Sequence, residues 1–331
     1  MPETDTAHSS ETPAQQVRDG LLSALIAYVL WGLLPIYFVM VKEVGSFEVL
    51  VHRIIWAVPF GALIIHFRHQ WGEVTRALTH PTMLLYLTIT AILIAGNWFV
   101  YILAVQQEQI FQASLGYYIN PLLFAVVGVF VMGEKLWPLQ IAAVLLAAVG
   151  VLVLTFSGGQ FPTIALFLGV TFTIYGVIRK KVVVGGMPGL FVETIVLLPI
   201  AGLYLVWLMV QGEATFGSSG PAMSVLLTVA GPITVIPLLF FALAARRLNL
   251  TMVGMMQFIA PTLQFFVGVF YGEVLTPAHL ICFGCIWTAV ILFSWDVLRR
   301  NRRAAAIASR RDPLPSSGIS LSERSGPRSF K

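Results

Sequence analysis

The sequence predicts an all-α integral membrane protein of about ten transmembrane helices, arranged as two inverted five-helix repeats. Three observations lead there: an apolar composition, regularly spaced uncharged runs, and self-similarity at a shift of 140 residues. Of 331 residues, 58% are hydrophobic and 11% charged, against roughly 45–50% and about 25% in an ordinary soluble domain. A water-soluble globule cannot hide that much apolar surface, and the mean hydropathy of +0.87 assigns most of these side chains to lipid. The net charge of +5 sits at segment ends and in one tail rather than on a basic face with interleaved aromatics, which excludes a nucleic-acid partner.

Uncharged apolar runs long enough to cross a bilayer place the first five helices at Leu21–Val41, Phe47–Phe67, Met83–Val105, Ile110–Met132 and Pro138–Phe156. Five more follow at Phe161–Ile178, Pro188–Val210, Ala222–Ala245, Leu248–Gly272 and Pro277–Trp295. Lys and Arg are retained on the cytoplasmic side during insertion. With the N-terminus inside, Arg18, Arg68, Arg76, Lys135, Arg179–Lys181, Arg246, Arg247 and the basic C-terminal tail fall on that side. Lys42 alone falls outside, and Arg53 lies within a span. The expectation is a multi-pass protein of the bacterial inner membrane with both termini cytoplasmic.

Met1–Asp19 is polar and acidic without a signal-peptide pattern, so it is expected to be a disordered cytosolic tail. Arg299, Arg300, Arg302 and Arg303 read as a stop-transfer anchor that opens a basic tail over 298–331, expected to be disordered, as the Pro, Ser and Gly content from Asp312 onward indicates. Cys282 and Cys285 lie in an apolar stretch that offers neither an oxidising compartment nor a polar second shell, so neither a disulfide nor a metal is expected. No cofactor is expected either.

The shift of 140 superimposes Pro59 on Pro199, Leu103-Ala104 on Leu243-Ala244, Pro121 on Pro261 and Gly128-Val129-Phe130 on Gly268-Val269-Phe270. After one deletion Gly133-Glu134 matches Gly272-Glu273, and Pro138 matches Pro277. Two five-helix repeats follow, over 20–156 and 157–297. Five is odd, so the second copy enters the membrane from the opposite face, and such pairs enclose a midplane site exposed alternately to each side.

Polar residues within spans mark candidate sites. His52 and Arg53 lie in the second span. Arg53 either snorkels to the outer interface beside Glu48 or faces a cavity as an anion clamp, and Trp56 lies within cation–π reach three residues on. Glu193, which the 140-residue shift equates with Arg53, is either a proton-coupling carboxylate or an interfacial residue paired with Arg179, Lys180 or Lys181. Asn97, Trp98 and Tyr101 share one turn of the third span. Gln112, Gly116 and Asn120 recur along one face of the fourth, and Gln257 and Gln264 along the ninth. The amides serve either as interhelical glue or as cavity lining. Pro35, Pro121, Pro232, Pro237 and Pro261 free helix carbonyls, with Pro121 and Pro261 the hinge candidates. Ala143-xxx-Ala147 and Gly268-xxx-Gly272 permit close helix packing within or between chains, which leaves room for a homodimer.

The blocks Tyr28-Val29-Leu30-Trp31-Gly32, Val51-His52-Arg53-Ile54-Ile55-Trp56, Gly96-Asn97-Trp98, Ala113-Ser114-Leu115-Gly116-Tyr117-Tyr118-Ile119-Asn120-Pro121, Tyr175–Lys181 and Tyr271-Gly272-Glu273 carry a resemblance over nearly all of Gly20 to Trp295. On these the chain resembles a ten-helix carrier of the drug/metabolite transporter superfamily, an EamA-type protein of the RarD group. The resemblance implies a secondary-active transporter of small metabolites or drugs, an exporter rather than an importer, and adds Tyr117 to the cavity candidates. The RarD group is associated with a chloramphenicol-related phenotype, while the superfamily handles amino acids, nucleotide conjugates and drugs, so the substrate stays open. Small four-helix multidrug exchangers of the superfamily use a carboxylate in their first helix. Leu21–Val41 has none, so cation-for-proton exchange by that device is not expected. Partners are a small-molecule substrate and membrane lipids, with the coupling proton or ion open. Two other classes remain: a membrane-embedded sensor or scaffold, and an intramembrane lipid-modifying enzyme. For the enzyme His66 and His69 are the nearest approach, and they lack a paired carboxylate.

Overall fold

A computed structural model describes residues 13–132, 136–157, 161–248, 252–253 and 256–311, and all regular structure among them is helical. Gly133, Glu134, Lys135 and the tail from Asp312 lie outside the described residues. The first span is α1 (Pro13–Gly32) continued by α2 (Leu34–Met40). The next four are α3 (Ser46–Phe67), α5 (Pro81–Gln106), α6 (Ile110–Met132) and α7 (Pro138–Ser157). A short α4 (Trp71–Thr79) links α3 to α5. The second set is α8 (Thr163–Arg179), α9 (Gly186–Gln211), α10 (Pro221–Arg247), α11 (Ile259–Phe270) and α12 (Pro277–Arg311).

Seven of these spans are long and apolar enough to cross a membrane by themselves, and α8 and α11 are shorter apolar helices. Uncharged α6, 23 residues long, completes the set of about ten. Outward faces are apolar at helical spacing: Leu145, Val149, Leu152 and Phe156 on α7, and Ile200, Leu203, Trp207 and Val210 on α9, are all exposed. That inside-out pattern is what a lipid solvent requires.

Local chemistry explains where the helices start and stop. Pro81, Pro138, Pro221 and Pro277 open α5, α7, α10 and α12, where a missing N–H costs nothing. Gly212 and Gly272, at φ 73° and 79°, close α9 and α11 with paired bonds. Gly272 N–H donates to Val269 O at 3.0 Å and Glu273 N–H to Gly268 O at 3.0 Å, the double closure favoured by a left-handed residue. Gly272 is therefore a helix stop rather than half of a packing motif. His69 and Glu108 fill the same left-handed position after α3 and α5, at φ 53° and 58°.

Four departures from the expected spans have physical causes. Pro35 breaks the first span at Leu33, because a proline cannot donate back to the carbonyl of residue 31. The ninth span is interrupted at Gln257–Phe258, so α11 begins at Ile259 with Pro261 in its first turn. Helix α12 runs to Arg311 rather than ending at Trp295. There Arg300 pairs with Asp296 at 2.6 Å, and the alanine-rich stretch that follows favours helix. Residues 298–311 are thus helical where disorder was expected, and α1 likewise starts at Pro13 inside the expected disordered tail.

The helices pack in a pattern that survives exchange of each of the first five spans with the span five places later. Helices α7 and α12, α3 and α9, and α6 and α11 each pack against their own counterpart. The contacts α1–α10, α3–α10 and α6–α8 are matched by α5–α8, α5–α9 and α1–α11. Helices α7 and α12 approach most closely at Gly150, where a Cβ would lie 2.8 Å from Cys285 Cβ and 3.0 Å from the Cys282 carbonyl. Ala143 and Ala147 are buried in the same seam.

Candidate functional site

Arg53 lies seven residues into α3, roughly 10 Å along the helix, and is 5% exposed. Its Nε donates to Thr234 Oγ1 on α10 at 2.7 Å. The guanidinium carbon lies 4.1 Å from the centroid of the Trp98 ring on α5 and 5.7 Å from that of Phe38 on α2. The expected stacking on Trp56 is corrected: Trp56 Nε1 donates instead to His52 Nδ1 at 3.3 Å. Tyr101 packs on Phe38 and on Tyr117 from α6, with centroids 5.8 and 5.5 Å apart. The structure thus gathers Arg53, Trp98, Tyr101 and Tyr117 with Phe38 and Thr234 where α2, α3, α5, α6 and α10 meet.

Asn97 ties this cluster to α8. Its Nδ2 donates to Leu168 O and Thr171 Oγ1, both at 2.9 Å, and its Oδ1 accepts from the Tyr117 hydroxyl at 3.2 Å. Both ends of the amide are satisfied, so Asn97 acts as interhelical glue that fixes the Tyr117 ring. Asn120 does similar work one helix over, its amide nitrogen facing the carbonyls of Gly116 and Gly169 at 3.2 Å each.

His52 points away from its neighbour Arg53, since consecutive helical residues diverge. Its ring lies 5.0 Å from that of Phe216, and its Nε2 is 3.8 Å from Glu48 Oε1. Glu48 does not reach Arg53. It accepts from Thr215 N–H at 2.7 Å, the Thr215 hydroxyl at 2.8 Å and Phe216 N–H at 3.3 Å, pinning the α9–α10 link to the start of α3. The snorkelling arrangement of Arg53 beside Glu48 is therefore absent.

Glu193 on α9 is fully buried and lies 3.6 Å from Arg179 Nε at the end of α8. It also accepts from the Thr90 hydroxyl on α5 at 2.7 Å and from the Tyr175 hydroxyl at 3.4 Å. Arg179 Nη2 continues to Gly185 O at 3.4 Å, and Gly185 N–H donates to Glu73 on α4 at 2.9 Å. This knot joins α4, α5, α8 and α9.

Gln112, Gln257 and Gln264 are not in the Arg53 cluster. Gln264 Nε2 donates to Trp31 O at 3.1 Å, the carbonyl that Pro35 strips of its helical partner. Gln257 sits in the turn before α11. Gln112 lines a cleft of about 660 Å³ between the α5–α6 and α11–α12 links, with Gln107, Glu108, Gln109, Glu273 and His279. There both oxygens of Glu273 accept the Phe111 N–H at 3.1 and 2.9 Å, so Glu273 caps α6. Burial raises its carboxyl to about 7, helped by nearby Glu108 and opposed by the Phe111 and Ile110 N–H groups. The hinge candidates differ locally: Pro121 lies inside the continuous α6, and Pro261 just after the break before α11.

Phe38, Thr90, Thr234 and the capping role of Glu273 were not anticipated. Only the two threonines carried a signal, as hydroxyl residues inside apolar spans. No group of three or more His, Cys, Asp or Glu among the described residues could hold a metal.

Residues 18–156, the stretch of the first five spans, match the EamA-like transporter family. The protein RarD of Salmonella typhi is 40% identical over 291 residues, covering 88% of this chain and 99% of that protein. A Vibrio cholerae protein named an uncharacterized transporter is 40% identical over 295 residues, covering 88% and 98%. A crystal structure at 19% identity superimposes with a TM-score of 0.56 over 83% of this chain and 97% of that one, a likeness of fold. At this identity, sustained over nearly the whole length of both chains, the protein belongs to the RarD-type EamA family of the drug/metabolite transporter superfamily and is a multi-pass bacterial membrane transporter.

Proposed function

We propose that the chain is a secondary-active carrier that moves small metabolites or drugs outward across the bacterial inner membrane. Access alternates between the faces as two inverted repeats, over 20–156 and 157–297, rock against each other. The observation that carries this reading is the position of the Arg53 cluster. Its ligating side chains come from spans of both sets, with Phe38, Arg53, Trp98, Tyr101 and Tyr117 from the first and Thr234 from the second, so any relative movement of the sets rebuilds it. Both termini are cytoplasmic in this reading, which puts the Glu193–Arg179 knot at the inner end and the Glu48–Thr215 contact at the outer end. Glu193 is the proton-coupling group, because a carboxylate held by one cation and two hydroxyls can exchange that cation for a proton when the knot opens.

The test is counterflow in proteoliposomes loaded with mixed amino acids, organic acids and antibiotics. A radiolabelled compound from the loaded set should accumulate transiently against its own gradient. An imposed proton gradient should change the rate in the wild type and not in Glu193→Gln. Counterflow that ignores the gradient removes the coupling role, and absence of exchange for every class removes the carrier reading in favour of a sensor.

A further inference from the structure

Arg53 is a cation buried among helices, with no counter-ion among the described residues. Among the described residues no carboxylate lies within 4 Å of it, and only its Nε finds a protein acceptor, in Thr234. Glu48, the acid nearest on its own helix, is consumed by the Thr215 and Phe216 donors. A guanidinium does not shed its proton to escape burial. The Trp98 face recovers part of the desolvation cost, as a cation–π contact does, but leaves the remaining N–H donors of the fork without oxygen partners.

A second, independent observation concerns Tyr101. It is 2% exposed, and its hydroxyl has no hydrogen-bond partner among the described residues. Its ring packs against Phe38, which also flanks the guanidinium. Two sets of unsatisfied donors, one charged, therefore share one aromatic wall. His52, the other basic side chain buried among the described residues, faces Glu48, Trp56 and Phe216 instead, so Arg53 is the single positive charge that the described residues place in the cluster.

We propose that the Arg53 cluster binds the carboxylate of an organic monoanion with an aromatic or apolar body. The guanidinium fork takes the two carboxylate oxygens, the Tyr101 hydroxyl donates to one of them, and Phe38, Trp98 and Tyr117 flank the body. A dianionic phosphate would leave one negative charge unmatched, and a cation would be repelled. This assignment rests on the carrier reading above and gives its substrate a chemical class.

The experiment measures binding to the purified full-length protein in detergent, by thermal unfolding and calorimetry, with benzoate, benzamide, benzylamine and phenyl phosphate at millimolar concentrations. Benzoate should raise the unfolding temperature and bind at least about tenfold more tightly than the other three. Arg53→Gln should abolish the preference for benzoate over benzamide, Arg53→Lys should retain part of it, and Tyr101→Phe should weaken benzoate several-fold. Equal binding of benzamide or benzylamine, tighter binding of phenyl phosphate, or no shift with benzoate overturns the assignment. If Arg53→Gln fails to fold, the wild-type comparison and Tyr101→Phe decide. Counterflow of neutral or cationic compounds with benzoate inert would refute the anion class and leave the carrier standing. Benzoate binding without counterflow of any compound would do the reverse.

Discussion

Deleting the Arg179 charge leaves Glu193 as a fully buried carboxylate whose remaining partners are the Thr90 and Tyr175 hydroxyls. At the observed 3.6 Å and an effective dielectric of about 20, the lost attraction is about 5 kcal/mol. Desolvation offsets part of it. Breaking a buried pair by removing one member costs about 3–5 kcal/mol, and because the Arg179 side chain keeps 13% of its surface exposed, the lower end of that range applies. Arg179→Met should therefore destabilise the protein by about 3 kcal/mol. Glu193→Gln keeps an acceptor for Thr90 and frees Arg179 to turn toward the link that holds Gly185, so its cost is smaller, about 1–2 kcal/mol. The double variant buries no charge and should cost about 2–3 kcal/mol, less than the sum of the two single costs by a coupling of about 2 kcal/mol. The assay is equilibrium unfolding in mixed micelles followed by tryptophan fluorescence, with all four proteins in one cycle. Additive single costs, with coupling below about 0.5 kcal/mol, would refute the claim that these groups form one energetic unit.

Three further outcomes follow from particular residues. His69 holds a left-handed backbone at φ 53° and is exposed, so His69→Gly should stabilise by roughly 0.5–1 kcal/mol, read as a higher unfolding temperature; a lower one would show that the ring makes a contact worth more than the strain. Glu273 holds its proton up to about 7 in the folded protein against the usual 4.5. The folded state therefore binds a proton that the unfolded chain releases between these values. The resulting stability is fully present below about 4.5 and lost as pH rises through about 7. Unfolding temperatures across that window should fall more steeply in the wild type than in Glu273→Gln, and parallel curves would refute the assignment. Gly150 faces the backbone and Cβ atoms of α12 at contact distance, so Gly150→Val should force α7 and α12 apart and cost about 1–3 kcal/mol; an unchanged unfolding temperature would mean that the seam is looser than described.

The spans were legible because lipid permits so few alternatives. An uncharged run of the right length must be a helix that satisfies its own backbone, and prolines and glycines mark its ends. Partners across the bundle were not legible, because sequence spacing reveals neighbours only on one helix. Trp56 lies three residues from Arg53 and looked like its aromatic cover. In the fold Trp56 serves His52, and the cover comes from Trp98, forty-five positions away along the chain. Gln112 and Asn120 share a helical face, yet two turns separate them along α6. One reaches the cleft beside Glu273 and the other the carbonyl of Gly169. Pro35 announced a freed carbonyl, but that it would break the span at Leu33 and that Gln264 would satisfy that carbonyl depends on a helix crossing that no local pattern encodes.

The 140-residue shift did carry tertiary information, in the pair Arg53 and Glu193. The two side chains do not meet. Each nevertheless occupies the same slot on the second span of its set, and each is bound at 2.7 Å by a threonine on the third span of the other set, Thr234 and Thr90. The scaffold has thus kept one geometry and loaded it with opposite charges. The acidic slot has a cation, Arg179, while the basic slot has aromatic rings and no acid among the described residues. If both slots were only structural, the same pressure against an unpaired buried charge would have supplied Arg53 with a carboxylate, as it supplied Glu193 with an arginine. The asymmetry between two otherwise equivalent positions is what singles out Arg53 as the place where the missing charge arrives with a ligand.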